Sequence, residues 1–222
     1  MQFIETTVKK ATTDLKNYLQ AALDQGQKVL WLISGGSNIV ITADILRELK
    51  NTQHLTIAQV DERYGPVGHP DSNWRQLLDS GAPLEGVTLL PILENPLASM
   101  NATAESYETK LKNALAQADL SIAQLGMGAD GHIAGILPET DAVTAPGLVT
   151  SYQTPQYDRI TLTFQGLDQV QQLYLFAYGE DKTEQLKRLE SKDLPESEQP
   201  AQYLKRHGHV IVYNDSIGGL TE

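Results

Sequence analysis

The stretch Val29-Leu30-Trp31-Leu32-Ile33-Ser34-Gly35-Gly36-Ser37 decides how this chain folds. An unbroken apolar run ended at once by a Ser-Gly-Gly-Ser turn describes a strand buried on both faces, as in a parallel sheet. Just before it, Val8, Ala11, Leu15, Tyr18, Leu19, Ala22 and Leu23 recur at helical spacing and stop at Gly26, so an amphipathic helix leads into the strand. The same alternation continues downstream. Strands are predicted at 28–33, 55–60, 87–90 and 120–125, with helices at 38–49, 73–78 and 102–118 between them. Further strands fit 159–164, 172–178 and 209–213, with a helix at 182–189. Residues 191–200, acidic and carrying Pro195 and Pro200, read as an exposed loop. The order predicts an α/β fold: a Rossmann-like, open, mostly parallel sheet with helices on both faces. At 222 residues the chain fits one domain, 1–222, since single cores grow to about 250 residues before splitting.

Composition narrows the function classes. With no cysteine there is no disulfide, thiolate nucleophile or cysteine-based zinc site. The formal charge of −11 disfavours a general attraction to nucleic acid or to an anionic membrane, so an anionic ligand must meet a locally basic pocket. No apolar stretch approaches the roughly 20 residues of a membrane helix, and the first residues lack a basic region and an apolar signal core, so the expected location is cytoplasmic. Two glycosylation-type tripeptides, at Asn101 and Asn214, carry no weight without a secretory route.

Three polar clusters follow predicted strands, at the carboxyl edge where open α/β sheets take their ligands. Ser34-Gly35-Gly36-Ser37 joins a strand to a helix. Its glycines let backbone approach an anion while the helix N-terminus offers unpaired N–H groups, although an ordinary turn capped by Ser37 has the same composition. Asp61-Glu62-Arg63, followed by Asp71-Ser72-Asn73-Trp74-Arg75, concentrates charge at a strand end. Arg63 is a candidate anion clamp, because its planar fork suits phosphate or carboxylate. Asp61 is a candidate acid, base or orienting group, Ser72 a candidate N-cap, and a surface salt-bridge network is the plainer alternative for the cluster.

The third cluster is Gly126-Met127-Gly128-Ala129-Asp130-Gly131-His132. Its glycine spacing matches a dinucleotide fingerprint, but that unit needs a full helix next, and Pro138 interrupts it. A loop presenting Asp130 and His132 fits better. Imidazole is the side chain best poised for proton transfer near neutral pH, which makes His132 the candidate base. His207 and His209 share no evident third ligand and are expected to be structural; His54 and His69 are expected in loops.

Taken in order, these pieces resemble the 6-phosphogluconolactonase family, which is related to the glucosamine-6-phosphate deaminases. The resemblance also rests on His69-Pro70-Asp71-Ser72-Asn73, on Arg159-Ile160-Thr161-Leu162-Thr163 and on Gly179-Glu180-Asp181-Lys182. Deaminases typically read Gly-His-Ile-Ala-Phe-Asn-Glu-Pro, where this chain has Gly131-His132-Ile133-Ala134-Gly135-Ile136-Leu137-Pro138, so Leu137 stands at the proton-shuttling glutamate. The first loop departs from the lactonase pattern Gly-Gly-Ser-Thr-Pro, with Asn38-Ile39 after Ser37, and so loses a hydroxyl. Ala129 replaces a usual proline, and 151–158 replaces a basic, proline-rich segment.

The resemblance implies hydrolysis of 6-phospho-D-glucono-1,5-lactone in the pentose phosphate pathway, with neither metal nor organic cofactor. It implies a catalytic set of His132, Asp130 and Asp61, with Asp130 or Asp61 orienting the imidazole and amides of 126–131 relieving the oxyanion. Substrate phosphate would be held by Ser34, Gly35, Gly36, Ser37, Arg63, Arg159 and Lys182. The partner is a phosphorylated sugar lactone, not nucleic acid or membrane; monomer and homodimer both stay open. A deaminase-like enzyme and a non-catalytic sugar-phosphate-binding protein are the alternatives.

Overall fold

A computed structural model describes residues 1–94 and 99–218. In chain order its elements are β1 (Gln2–Glu5), α1 (Val8–Asp24), β2 (Val29–Ile33), α2 (Asn38–Glu48), β3 (Leu55–Gln59), β4 (Asp61–Arg63), α3 (Asn73–Asp79) and β5 (Thr88–Leu90). Then come α4 (Met100–Gln117), β6 (Leu120–Gly126), β7 (Val149–Tyr152), β8 (Arg159–Leu162), α5 (Phe164–Leu167), β9 (Gln172–Ala177), α6 (Glu180–Ser191) and β10 (Val210–Asn214).

Seven strands form one sheet in the order β1-β10-β9-β6-β2-β3-β5, and every pairing in it is parallel. β2 lies inside it, between β6 and β3, with all five residues buried, as its apolar run requires. Its side chains alternate between two cores. Val29, Trp31 and Ile33 pack with Leu15, Ile45 and Trp74 from α1, α2 and α3, whereas Leu30 and Leu32 pack with Tyr107 and Leu111 of α4 and Leu186 of α6. Helices therefore cover both faces.

From β2 the chain first builds outward through β3 and β5, then crosses back to place β6 on the other side of β2. The loops leaving the carboxyl ends of β2 and β6 thus run in opposite directions, and a crevice opens between them.

Sequence reading missed a second, three-stranded sheet of order β4-β8-β7, antiparallel throughout. The segment expected as a strand at 159–164 belongs there, and Phe164 already opens the short α5. Its apolar residues are buried either way, so composition does not distinguish a parallel strand from a ribbon packed across the sheet. The ribbon is tied to the main sheet at Val60, whose carbonyl accepts from Leu162 N at 2.8 Å. The expected loop at 191–200 is exposed at first but buries Gln199 and Pro200 at its end. Among the described residues no helix is long and apolar enough to cross a membrane.

Candidate active site

A cleft of about 330 Å³ occupies the crevice between β2 and β6, a size that suits a small metabolite. Its floor is the turn from Ser34 through Ser37. Gly36 holds φ at +62°, a left-handed conformation that glycine adopts without strain. Gly35 is required for a different reason: a Cβ there would lie 1.9 Å from Asn73 Oδ1. Ser37 makes no capping hydrogen bond, so the capped-turn alternative does not hold and the start of α2 faces the cleft with its side-chain cap unused.

One wall comes from β4 and β8. Register sets Arg63 directly opposite Arg159, and both line the cleft. Like charges facing each other across an antiparallel pair repel, and an anion between or beside them relieves this. Arg63 is steadied by Nη1 donating to Asp71 O at 2.9 Å and by its position 5.2 Å above the Tyr157 ring. His69, in its loop, contacts the Arg63 carbonyl through Nε2 at 2.8 Å. Asp61 faces Arg159 Nη1 at 3.7 Å, and Asn73 Nδ2 lies 3.1 Å from the Asp61 carbonyl. Burial pushes the Asp61 carboxyl above its ordinary range; Arg159 opposes this and Glu62 adds to it.

Glu62 was passed over in the sequence because its neighbours carried the obvious charges. It is fully buried. Its carboxylate accepts from Gln59 Nε2, Arg63 N, Ser72 Oγ, Asn73 N and Trp74 N, all at 2.7–2.9 Å. The anion thereby sits on the N-terminus of α3, where the helix dipole favours it. Ser72 is also the N-cap, accepting from Arg75 N at 3.1 Å. The cluster is therefore an internal tie between strand and helix, not a surface network, and it sets the positions of Asp61, Arg63 and Asn73.

The opposite wall is the loop after β6. His132 Nδ1 lies 2.6 Å from Asp130 Oδ1, and His132 N donates to the same oxygen at 3.1 Å. Burial acts to raise the Asp130 carboxyl, but the hydrogen bonds and charge of His132 outweigh it and hold the group down at about 2. An ionised carboxylate only accepts, so the proton of a neutral His132 resides on Nδ1 and Nε2 is left as the basic atom. The imidazole lines the cleft with Asp130 behind it; Asp61 makes no hydrogen bond to the ring. Gly128 makes this fit possible, since a Cβ there would sit 2.1 Å from His132 Nδ1. Ala134, also on the cleft wall, is held at φ 51°, a conformation uncommon outside glycine and often found at functional sites. Amides of this loop are partly committed: Gly128 N donates to His132 O and Gly131 N to Gly128 O. Those two N–H groups are not available to an oxyanion, which narrows the expectation for 126–131 to the loop's other amides, among them Ala129 N and Asp130 N, which donate to no backbone carbonyl among the described residues.

Lys182 closes the rim from the first turn of α6, paired at 2.7 Å with the exposed Asp181. The cleft also includes Asn38, Asn73 and Tyr178, which were not proposed as site residues. Ser34 Oγ, Arg63 Nε, Asn73 Oδ1, Arg159 Nε and Tyr178 OH are buried around it without a hydrogen-bond partner among the described residues, a concentration of unsatisfied groups that ordinary cores avoid. Among the described residues no group of three or more His, Asp or Glu could hold a metal.

Two other features lie apart. His207 is buried, its Nε2 against Val170 O at 3.0 Å and its Nδ1 accepting from the backbone N–H of His209, so its imidazole is structural, whereas His209 is exposed. A second cleft of about 420 Å³ at the amino edge of the sheet includes Lys28, His54 and Lys110. Lys28 and His54 are surface groups and Lys110 already pairs with Glu94, so its larger volume carries no comparable chemistry.

Fold and cleft define a doubly wound α/β protein with a polar, cation-lined crevice at its switch point. The family model described as glucosamine-6-phosphate isomerases/6-phosphogluconolactonase matches residues 4–212, and the chain belongs to that family. It is 28% identical over 208 residues to a 6-phosphogluconolactonase of Thermotoga maritima, covering 87% of this chain and 86% of that protein. It is 29% identical over 196 residues to a human 6-phosphogluconolactonase, covering 79% and 73%. In structure it resembles a 6-phosphogluconolactonase from Shewanella baltica OS155, with a TM-score of 0.82 at 21% identity over 96% of this chain and 97% of the other. A monomeric glucosamine-6-phosphate deaminase matches with a TM-score of 0.78 at 19% identity over 96% and 97%, so the fold alone does not separate the two activities.

Two outcomes follow from this geometry. Glu62→Gln replaces a five-fold acceptor with an amide whose –NH₂ must face donors, and denaturant unfolding should register a loss of about 2–4 kcal/mol. Asp130 is lowered from 3.8 to about 2 on folding, so it stabilises the fold while ionised and loses that contribution as pH falls through its folded value. The stability gap between the wild type and Asp130→Asn should therefore narrow between about pH 4 and pH 2; acid titration of both proteins measures it, and a gap that widens there would contradict the pairing.

Proposed function

We propose that the chain hydrolyses 6-phospho-D-glucono-1,5-lactone to 6-phosphogluconate, with His132 as general base. The observation that carries this reading is the Asp130–His132 pair turned toward a cleft whose other walls hold Arg63, Arg159 and Lys182. Family membership and the curated relatives named 6-phosphogluconolactonase support it. A sugar lactone is an activated ester, so a positioned water, a base and relief of the oxyanion suffice. His132 Nε2 takes a proton as the water oxygen bonds to the lactone carbonyl carbon. The tetrahedral intermediate then breaks its bond to the ring oxygen, which leaves with the proton from the imidazolium, and the open-chain acid ionises.

Asp130 keeps the imidazole in the productive tautomer and stabilises its charged form. Asp61 is assigned to the cationic wall as the charge partner of Arg159. With the Gly128 and Gly131 amides already used, oxyanion relief falls to the remaining amides of the loop, such as Ala129 N and Asp130 N, and to side-chain donors on the walls. Phosphate binding falls to Ser34, Gly35, Gly36 and Ser37 with Arg63, Arg159 and Lys182, and anchoring the remote phosphate fixes the reacting carbon. For a deaminase the carboxylate position is filled by Leu137, a half-buried side chain packed against the main core and absent from the cleft walls.

His132→Ala should lower kcat/KM by about 10² to 10⁴, measured in a lactonase assay coupled to phosphogluconate dehydrogenase, in a protein that stays folded with a modestly lower melting transition because Asp130 loses its partner. Near-wild-type turnover by that variant would remove the base assignment, and a wild type that releases ammonia from glucosamine 6-phosphate instead would favour the deaminase reading. Lys182→Ala should chiefly raise KM; a fall in kcat at constant KM would argue against a role in holding phosphate.

A further inference from the structure

Asn38 stands where the lactonase pattern has threonine, and its surroundings determine what its amide does. It is the first residue of α2, 2% exposed, and it lines the cleft. Gln124 reaches it from β6, a fully buried glutamine on the face of the sheet that α2 covers. The Asn38 main-chain carbonyl only accepts, so the Gln124 atom 3.2 Å away must be Nε2. Gln124 Oε1 then faces Thr42 Oγ1 at 3.2 Å, and the threonine hydroxyl donates to it. The same Nε2 lies 2.9 Å from the Asn38 side chain, so the Asn38 atom it meets must be Oδ1. The remaining end of the amide, Nδ2, is forced toward the cleft side, against Gly126, where a Cβ would come within 2.7 Å of it. No hydrogen bond among the described residues uses Nδ2, which leaves both of its N–H groups unspent beside the Ser34–Ser37 turn.

We propose that Asn38 Nδ2 is a dedicated donor to the phosphate oxygens of the substrate, and that Gln124, anchored by Thr42, is a positioning residue that keeps the amide from turning its oxygen toward the anion. The inference rests on the sugar-phosphate reading of the cleft. On it, this chain replaces a hydroxyl donor by an amide donor, and the buried glutamine exists to set the sign of that amide.

The test is binding of 6-phosphogluconate by calorimetry together with lactonase kinetics, on the full chain. Asn38→Asp keeps the shape but turns the donor into a charged acceptor. It should weaken binding tenfold or more, about the worth of one hydrogen bond to a charged group, and raise KM more than it lowers kcat. Asn38→Thr restores a hydroxyl and should bind within about threefold of wild type. Gln124→Leu should raise KM in the native background and have little further effect on it in Asn38→Ala, because neighbours acting through one group are not additive. Should Gln124→Leu fail to fold, Asn38→Asp and Asn38→Thr decide the matter. Equal affinity in wild type and Asn38→Asp, with wild-type turnover intact, would overturn this inference alone. A kcat loss common to Asp and Thr with KM unmoved would overturn it in favour of a structural role. A wild type that neither binds 6-phosphogluconate nor hydrolyses the lactone would overturn the underlying functional reading.

Discussion

Parallel pairing is the constraint from which the rest follows. When all seven strands of the main sheet run the same way, every carboxyl end arrives at one edge, and so do the loops that leave them. The reversal of winding between β2 and β6 then parts two of those loops and makes the crevice. Ser34 to Ser37 come from one side of that parting, His132 and Asp130 from the other, and Lys182 from the next strand along. The antiparallel ribbon supplies what the main sheet lacks: a face with Arg63 and Arg159 set side by side.

Buried polar groups do the fine positioning. Glu62 locks the start of α3 to β4, which brings Asn73 against Gly35 and Asp61 against Arg159. Gln59 extends the same network inward: its carbonyl accepts from the Tyr107 hydroxyl, its side chain donates to Glu62, and it accepts from Ile92 N. Such a fully paired network is costly to disturb, because each donor left alone in the interior loses both water and its partner. On the other wall, closeness replaces charge. Gly128 lets the imidazole fold back on Asp130, and Gly126 makes room for the Asn38 amide.

Much of this was legible in the residues. The apolar run before Ser34 and the helical spacing of Val8 to Leu23 identify an interior strand of the sheet and its first covering helix, because burial on two faces and on one stripe leave different periods. The clusters at Ser34, Asp61 and Gly126 marked the carboxyl edge. The ribbon was not legible, since β4 is a charged tripeptide and β7 a short mixed segment whose pairing is set by tertiary contact rather than period. Glu62, Asn38 and Gln124 escaped for a related reason: a buried polar residue looks like any surface polar residue until its partners are known. Gln124 did leave one trace, a lone amide amid the apolar Leu120–Gly126 strand.

The cleft is assembled from segments that span the chain from Ser34 to Lys182, so no single local motif supplies it. Contacts of such long sequence separation form late, after the loops between them have closed. During synthesis the pocket therefore stays incomplete until β9 and the start of α6 have left the ribosome and docked, however early the first βα unit folds. Competence in this protein is a property of the whole cooperative unit, and a chain that ended before Lys182 would keep the Asp130–His132 pair but lack the rim.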